Sequence, residues 1–327
     1  MERITLGKSG LEVSRLCLGT MQFGWTAGRD ASFAVLDAFA AAGGNFVDTA
    51  DIYRARAKGS RAEASEEILG EWLEARANRD RFVVATKVRG RAWEGADGEG
   101  LSRAHIVRAC EESLRRLHTD TIDLYQCHWY DDAVPIDETL RAFEELIAAG
   151  KVRFIGASNY PPERLTEALD LTRAHNLPGF VSLQPHYNLV HRREFERELQ
   201  QLCAERGLAV LPYSPLAGGF LTGKYARGGE RVRSARYARV SQYFTDEGWQ
   251  VIDALREVAA AHGAPVPAVA IAWLLARPTV TAPILGANSP EQLAEQLPAL
   301  SLALAPHEIQ ALDAASEPFR RYGPVHP

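Results

Sequence analysis

The chain alternates between two patterns along its length. Eight short apolar runs with β character fall at residues 16–19, 45–49, 82–87, 122–128, 154–158, 180–184, 208–214 and 281–286. Between them lie stretches with helical spacing at 33–42, 64–76, 105–117, 138–149, 163–175, 194–206, 249–262 and 290–297. Most of the runs stay apolar until their last one or two positions, which suits parallel strands buried on both faces. Ile136, Leu140, Phe143 and Ile147 mark one apolar helix face. Gly43, Gly150, Gly207 and Gly263 each sit just past a helical stretch, where a left-handed cap belongs. Helices at 267–276 and 306–316 stand outside the alternation. No linker-like break interrupts the 327 residues. The expectation is one domain, residues 1–327, folded as an α/β (β/α)8 TIM barrel with accessory helices. A doubly wound open sheet would carry G-x-G-x-x-G after an early strand, and none is present.

Composition removes several function classes. The net charge of −5 argues against a nucleic-acid binder. Cys17, Cys110, Cys127 and Cys203 are scattered, with no C-x-x-C pair and no H-E-x-x-H, so neither zinc nor a disulfide scaffold is expected. The longest apolar run, 268–276, is far short of the ~20 residues that span a bilayer. The opening MERITLGKSG lacks the apolar core of a signal peptide. These features predict a soluble, cytoplasmic protein. Gly218 to Lys224 reads G-x-x-x-x-G-K, but Tyr225 stands where a phosphate loop needs Ser or Thr for magnesium.

In a barrel, chemistry gathers at the C-terminal ends of the strands. The polar residues there are Asp48, Lys87, Gln126, His128, Ser158, Asn159, Gln184, Tyr213 and Ser214, with Tyr53, Tyr187 and Asn188 just beyond. A strand-end Asp is often a cap, and a lone His is often a satisfied core group. Three titratable groups converging on one mouth beside a Tyr make a different case. A Lys ammonium ~4 Å from a phenol, at an effective dielectric of ~20, is worth about 4 kcal/mol. It is expected to lower the Tyr53 pKa, with Asp48 orienting Lys87 and offsetting part of its field. His128 would position a substrate oxygen. Such a phenol can protonate the alkoxide that develops when hydride adds to a carbonyl.

These residues sit in segments that match a known family in order and spacing. The segments are GKSGLEVSRLCLGTMQFG, NFVDTADIY, VVATK, IDLYQCHW, FIGASNY, LQPHYNL, YSPLAGGFLTGKY and ILGANSPEQLAEQL. Over essentially its whole length the chain resembles the aldo-keto reductase superfamily, on the branch that holds bacterial reductases and potassium-channel β subunits. The resemblance implies a (β/α)8 barrel that uses NADP(H) without a Rossmann fold. It implies a catalytic tetrad of Asp48, Tyr53, Lys87 and His128, with Tyr53 as proton donor. It places Ser158, Asn159 and Gln184 on the nicotinamide carboxamide and Tyr213 against the ring. Ser214, Pro215, Leu216, Gly218 and Lys224 match the belt over the pyrophosphate. Gln292, Glu295 and Gln296 match the adenosine end. Gly19, Thr20, Met21, Gly286 and Asn288 join the cofactor set by the same match.

The chain departs from the family pattern in two places. Gly286 and Gln292 stand where many members grip the 2′-phosphate with Lys and Arg, and Gln296 stands for a common Asn. Arg231, Arg233 and Arg236 are the candidates to hold that phosphate, inside a cationic stretch, 224–239, that also carries Lys224, Arg227 and Arg239. NAD(H) stays open beside NADP(H). Ser289, Pro290 and Gln292 also fit a capping box, so Gln292 has a helix role to weigh against a cofactor role. The helix start there is equally a natural anion site. Trp25, Trp93, Trp129 and Tyr130 resemble substrate-pocket aromatics. Loops 88–103 and 224–244 are long enough to act as lids. Arg153 and Arg192 read as solvated charge, and His105, His118, His175 and His262 as outer surface.

Two functions follow. The first is a reductase of aldehydes or ketones, running also as an alcohol dehydrogenase. The second is a cofactor-sensing accessory protein like the channel β subunits. Members of that group commonly lack the tetrad His, so His128 favours the enzyme. A small carbonyl compound is the expected partner, without nucleic acid or membrane; a homo-oligomer stays open.

Overall fold

A computed structural model describes residues 1–53, 65–229 and 235–322. A two-stranded antiparallel hairpin, β1 (Arg3–Thr5) with β2 (Glu12–Ser14), opens the chain. Eight parallel strands follow: β3 (Cys17–Gly19), β4 (Phe46–Asp48), β5 (Val83–Val88), β6 (Ile122–Cys127), β7 (Val152–Ser158), β8 (Phe180–Gln184), β9 (Ala209–Val210) and β10 (Ile284–Leu285). Their spatial order is β10-β3-β4-β5-β6-β7-β8-β9. The two ends of that order meet. Thr281 donates its N–H to the Val210 carbonyl at 2.9 Å, and Ile284 donates to Pro212 at 2.8 Å, so the sheet curls into the expected barrel.

Each predicted run overlaps one of these strands, though β5 runs one residue past its run and β7 begins two residues before its own. The last two strands are much shorter than their runs because Pro212 and Pro283 have no N–H to give the ladder. The hairpin has no counterpart in the sequence reading. Its strands are three residues each, too short to show a period.

The helices coat the barrel. They are α1 (Arg29–Ala41), α2 (Ser65–Ala75), α3 (Arg103–Arg116), α4 (Ile136–Ala148), α5 (Pro162–His175) and α6 (Gln200–Arg206), the last entered through a π-helical turn at Phe195–Leu199. Then come α7 (Tyr237–Val240), α8 (Asp246–His262), α9 (Val266–Leu275), α10 (Pro290–Ala294), α11 (Pro306–Ala315) and α12 (Glu317–Arg321). Ser102 caps α3 and Thr245 caps α8 through their hydroxyls, each worth about 1 kcal/mol against Ala. Gly207 and Gly263 end α6 and α8 in the left-handed conformation. Among the described residues no single helix is long and apolar enough to cross a membrane.

Two cores result. The larger lies between strands and helices and includes Val47, Val84, Val88, Tyr125 and Cys127. The smaller fills the bottom of the barrel, with Phe46, Val83, Ala85 and Leu124 closed off by Leu6, Leu11 and Val13 around the hairpin. Successive strand residues point to opposite faces. Phe46 and Val83 face inward at the bottom, so Asp48 and Lys87, two and four residues on, face inward at the top.

Candidate active site

Strand register sets the inward row. Lys87 pairs with Gln126 across β5 and β6, and Ser158 pairs with Gln184 across β7 and β8. Asp48, Lys87, Gln126, Ser158 and Gln184 are all buried. Such a polar layer survives only if its hydrogen bonds are filled, and they are. Lys87 Nζ donates to Asp48 Oδ2 at 2.5 Å, to the Thr49 carbonyl at 2.8 Å and to Tyr53 Oη at 3.3 Å. The other carboxylate oxygen, Asp48 Oδ1, accepts from Gln126 Nε2 at 3.0 Å and from Gln184 Nε2 at 2.9 Å. The lysine's three protons are used, and the carboxylate is held from both sides.

Burial pushes the Lys87 ammonium down, but Asp48 and Tyr53 together hold it above its ordinary value, so it stays charged. The Tyr53 phenol differs from expectation. Its pKa is raised, because burial outweighs the pull of Lys87, with Asp48 and Asp51 opposing that pull as well. Tyr53 is therefore protonated at neutral pH. Because Lys87 donates to Tyr53 Oη, the phenol's own hydrogen is left for another acceptor. His128 stands edge-on to the Tyr53 ring, centroids 5.8 Å apart. Burial, then the charge of Lys87, holds its pKa well below the imidazole range, so the ring is neutral. Its Nδ1 is buried without a partner among the described residues.

Beside this row the next strand ends are tied together. Ser158 Oγ donates to the Gln184 carbonyl at 2.8 Å. Asn159, left-handed at φ 55°, donates from Nδ2 to the His128 carbonyl at 2.9 Å. Its Oδ1 accepts from the Tyr213 hydroxyl at 2.9 Å.

A cavity of about 640 Å³ opens over the barrel mouth. Asp48, Tyr53, Gln184 and Tyr213 stand at one end of the predicted set that lines it. Gly19, Thr20, Met21, Ser214, Pro215, Leu216, Gly218, Lys224, Gly286, Asn288, Gln292, Glu295 and Gln296 complete that set in its walls. Ser158 and Asn159 do not line it; Asn159 lines a second cavity on the other side of Tyr213. Arg231 and Arg233 lie outside the described residues. Arg236 borders the cavity. Burial lowers the Lys224 pKa, and Arg236 lowers it further; burial, then Arg239, does the same to Arg236. Two partly desolvated cations in one cavity make it a place for a polyanion. The backbone allows close approach beneath them. Gly218 and Gly219 have φ of 68° and 104°, and a Cβ on Gly219 would lie 3.1 Å from Lys224 Nζ.

At the far end Gln292 makes the helix contacts its sequence suggested. Ser289 Oγ accepts from the Gln292 N–H at 3.4 Å, while Gln292 Oε1 accepts from the Asn288 N–H at 2.9 Å. The second contact falls one residue short of a complete capping box. Gln296 Nε2 donates to the Gly286 carbonyl at 3.0 Å. Gln22 was missed in the cofactor set. It lines the cavity and braces β3 against the last strand's loop through the Gly19 and Ala287 carbonyls, both at 3.0 Å. Gln126 was visible as the one polar residue two positions beyond Leu124, but its bond to Asp48 needed the register.

The four aromatics part company. Trp129 leans on His128 with centroids 4.7 Å apart, and Arg89 sits 5.0 Å over its ring. Trp25 is 40% exposed and outside the cavity lining, with Arg236 5.5 Å above it. Trp93 packs on His105 at 4.8 Å and beneath Arg108 at 4.1 Å. Tyr130 packs on Tyr160 at 5.5 Å and beneath Arg164 at 4.8 Å. Two surface assignments are corrected. Arg192 is buried, bidentate to Glu196 at 2.8 and 2.9 Å and bonded to Ser316 at 2.7 Å. His105 is also buried, under Trp93, with Nδ1 2.8 Å from the Asp97 carbonyl.

The parallel barrel thus carries a lysine–carboxylate–phenol row at its mouth and a cationic cavity beside it. The aldo/keto reductase family model matches residues 15–317, and the chain belongs to that family. It is 38% identical over 309 residues to an uncharacterized oxidoreductase, YrpG, of Bacillus subtilis, covering 93% of this chain and 92% of that one. It is 35% identical over 331 residues to an aryl-alcohol dehydrogenase [NADP(+)] of Phanerodontia chrysosporium, covering 93% and 83%. A probable voltage-gated potassium channel subunit beta of Oryza sativa subsp. japonica is 34% identical over 333 residues, covering 98% of each.

Proposed function

We propose that this protein is an NADP(H)-dependent reductase of aldehydes or ketones in which Tyr53 donates the proton. The observation that carries the reading is the chain of contacts Asp48–Lys87–Tyr53, 2.5 and 3.3 Å long, ending at a cavity that also holds Lys224 and Arg236. A nicotinamide dinucleotide fits the donor set: glycines that let the backbone close in, two cations for phosphates, and Tyr213 as a flat wall. Bound there, it would supply the hydride. Lys224 and Arg236 are the residues to hold its phosphates, with Gln292, Glu295 and Gln296 at the adenosine end.

The chain's own groups do the rest. The carbonyl oxygen takes hydrogen bonds from Tyr53 and from neutral His128. As that oxygen gains negative charge, Tyr53 gives up its proton. The phenolate left behind is stabilised by the Lys87 ammonium 3.3 Å away, which Asp48 keeps charged and aimed. The same groups serve alcohol oxidation in reverse. Preference for NADP(H) is supported by Arg236 in the cavity wall and by the NADP(+) in one relative's name.

The experiment is a panel of small aldehydes and ketones incubated with the protein and either NADPH or NADH. Turnover of some carbonyl, faster with NADPH, is expected. Tight NADPH binding with no turnover on any carbonyl would select the accessory reading, which the similarity to channel β subunits keeps in play.

A further inference from the structure

Tyr213 lines two cavities, the one assigned to the cofactor and a second of about 630 Å³ on its other side. Something must decide which way this ring stands. A parallel ring lies directly against it: His186, centroid 4.9 Å away and only 12° from coplanar. Behind that ring lies a third, His191, at 3.7 Å and 23°. The sequence explains the stack. Asn188 forms a tight turn, its Oδ1 accepting the Val190 N–H at 2.9 Å, and the turn folds His191 back onto His186. Asn188 Nδ2 donates to the carbonyl of Ser214 at 2.9 Å, the residue after Tyr213, itself left-handed at φ 54°. The same amide meets His186 Nε2 at 3.4 Å. An amide N–H only donates, so Nε2 accepts and the His186 ring is neutral with its proton on Nδ1. Burial, then His191 and Arg239, pushes its pKa down to about 3, in keeping with a neutral ring. Glu194, 3.1 Å from His191 Nε2, holds the outer ring in place.

We infer that His186, backed by His191, is a positioning residue that fixes the plane of Tyr213 for the nicotinamide. The inference rests on the cofactor reading above. Without the His186 ring, Tyr213 keeps its hydroxyl tether to Asn159 but has empty volume behind it.

The test compares His186→Ala, His186→Phe, His191→Ala and Tyr213→Ala, each checked by thermal melting. NADPH affinity is read by fluorescence titration, and stereospecificity by deuteride transfer from NADPH labelled at one face of C4. His186→Ala is expected to weaken NADPH roughly fivefold to tenfold, the scale of one lost aromatic pair, and to leak deuterium to the wrong face. His186→Phe restores both, because the stack needs a ring and not a charge. His191→Ala shows a smaller loss of the same sign and stands in if His186→Ala fails to fold. Wild-type affinity and stereospecificity in His186→Ala, or no rescue by Phe, would overturn the inference alone. Unchanged NADPH binding in Tyr213→Ala would overturn the cofactor reading and this inference with it.

Discussion

The two halves of the site are built differently. The row Asp48–Lys87–Gln126–Gln184 is carried on four strands of one sheet, and its geometry follows from register and pleat. The cationic half, Lys224 and Arg236, stands outside the strands, with Lys224 following the left-handed Gly218, Gly219 and Gly223. The strand-borne half ties its ammonium and carboxylate to each other and to fixed neighbours. The loop-borne half keeps cations turned toward a cavity, and among the described residues Lys224 has no carboxylate partner. One half is made to hold a proton donor still, and the other to receive a charged ligand.

That contrast can be broken by substitution. The largest effect is expected from Lys87→Met, which leaves Asp48 buried beside an apolar chain. It should cost about 3–5 kcal/mol in denaturant unfolding, because one partner of a buried pair is gone. Turnover should fall at least a hundredfold, the scale of a lost acid–base function. The double variant Asp48→Asn/Lys87→Met should regain much of the stability and none of the turnover. Arg236→Ala comes next and should behave in the opposite way. Stability should change less than in Lys87→Met, while the KM for NADPH rises about tenfold, as for one lost charge-assisted hydrogen bond, and that for NADH rises less.

The pH profile gives a third separation. Reduction needs the protonated phenol, and burial raises the Tyr53 pKa, so the rate should stay level through neutral pH and fall only in the alkaline range. Because His128 is held neutral, no inflection should appear near the ordinary imidazole value of about 6.5. An inflection there would mean that His128 changes charge during turnover. The smallest effect separates two tryptophans. Trp129→Ala strips a ring from His128 and should change kcat/KM for an aromatic aldehyde about tenfold, a pocket-sized effect. Trp93→Ala loosens the packing on His105 and should leave kcat/KM within about twofold, since distant sites act independently.

The same contrast explains what could be read without a structure. Asp48, Lys87 and Gln126 stood out as polar residues ending apolar runs, and a period of two turns that pattern into one inward layer. Six cations between 224 and 239 could be counted, but not sorted, because no local rule says which one a loop turns inward. Tertiary burial also reversed particular readings. Arg192 looks like surface charge until Glu196, one helical turn on, and Ser316, far along the chain, enclose it. Lys87 looked able to lower the Tyr53 pKa because a pairwise Coulomb estimate omits desolvation, which here is the larger effect. The hairpin that plugs the barrel, and the ring stack behind Tyr213, depend on contacts across turns that periodicity does not report.

The central claim is that Tyr53 is the proton donor, and Tyr53→Phe tests it most directly because it removes one oxygen and keeps the ring. The measurement is kcat for reduction of the best carbonyl found, beside NADPH affinity on the same preparation. The account predicts a loss of kcat of roughly a hundredfold to ten-thousandfold with NADPH binding retained. Full turnover by Tyr53→Phe would contradict it.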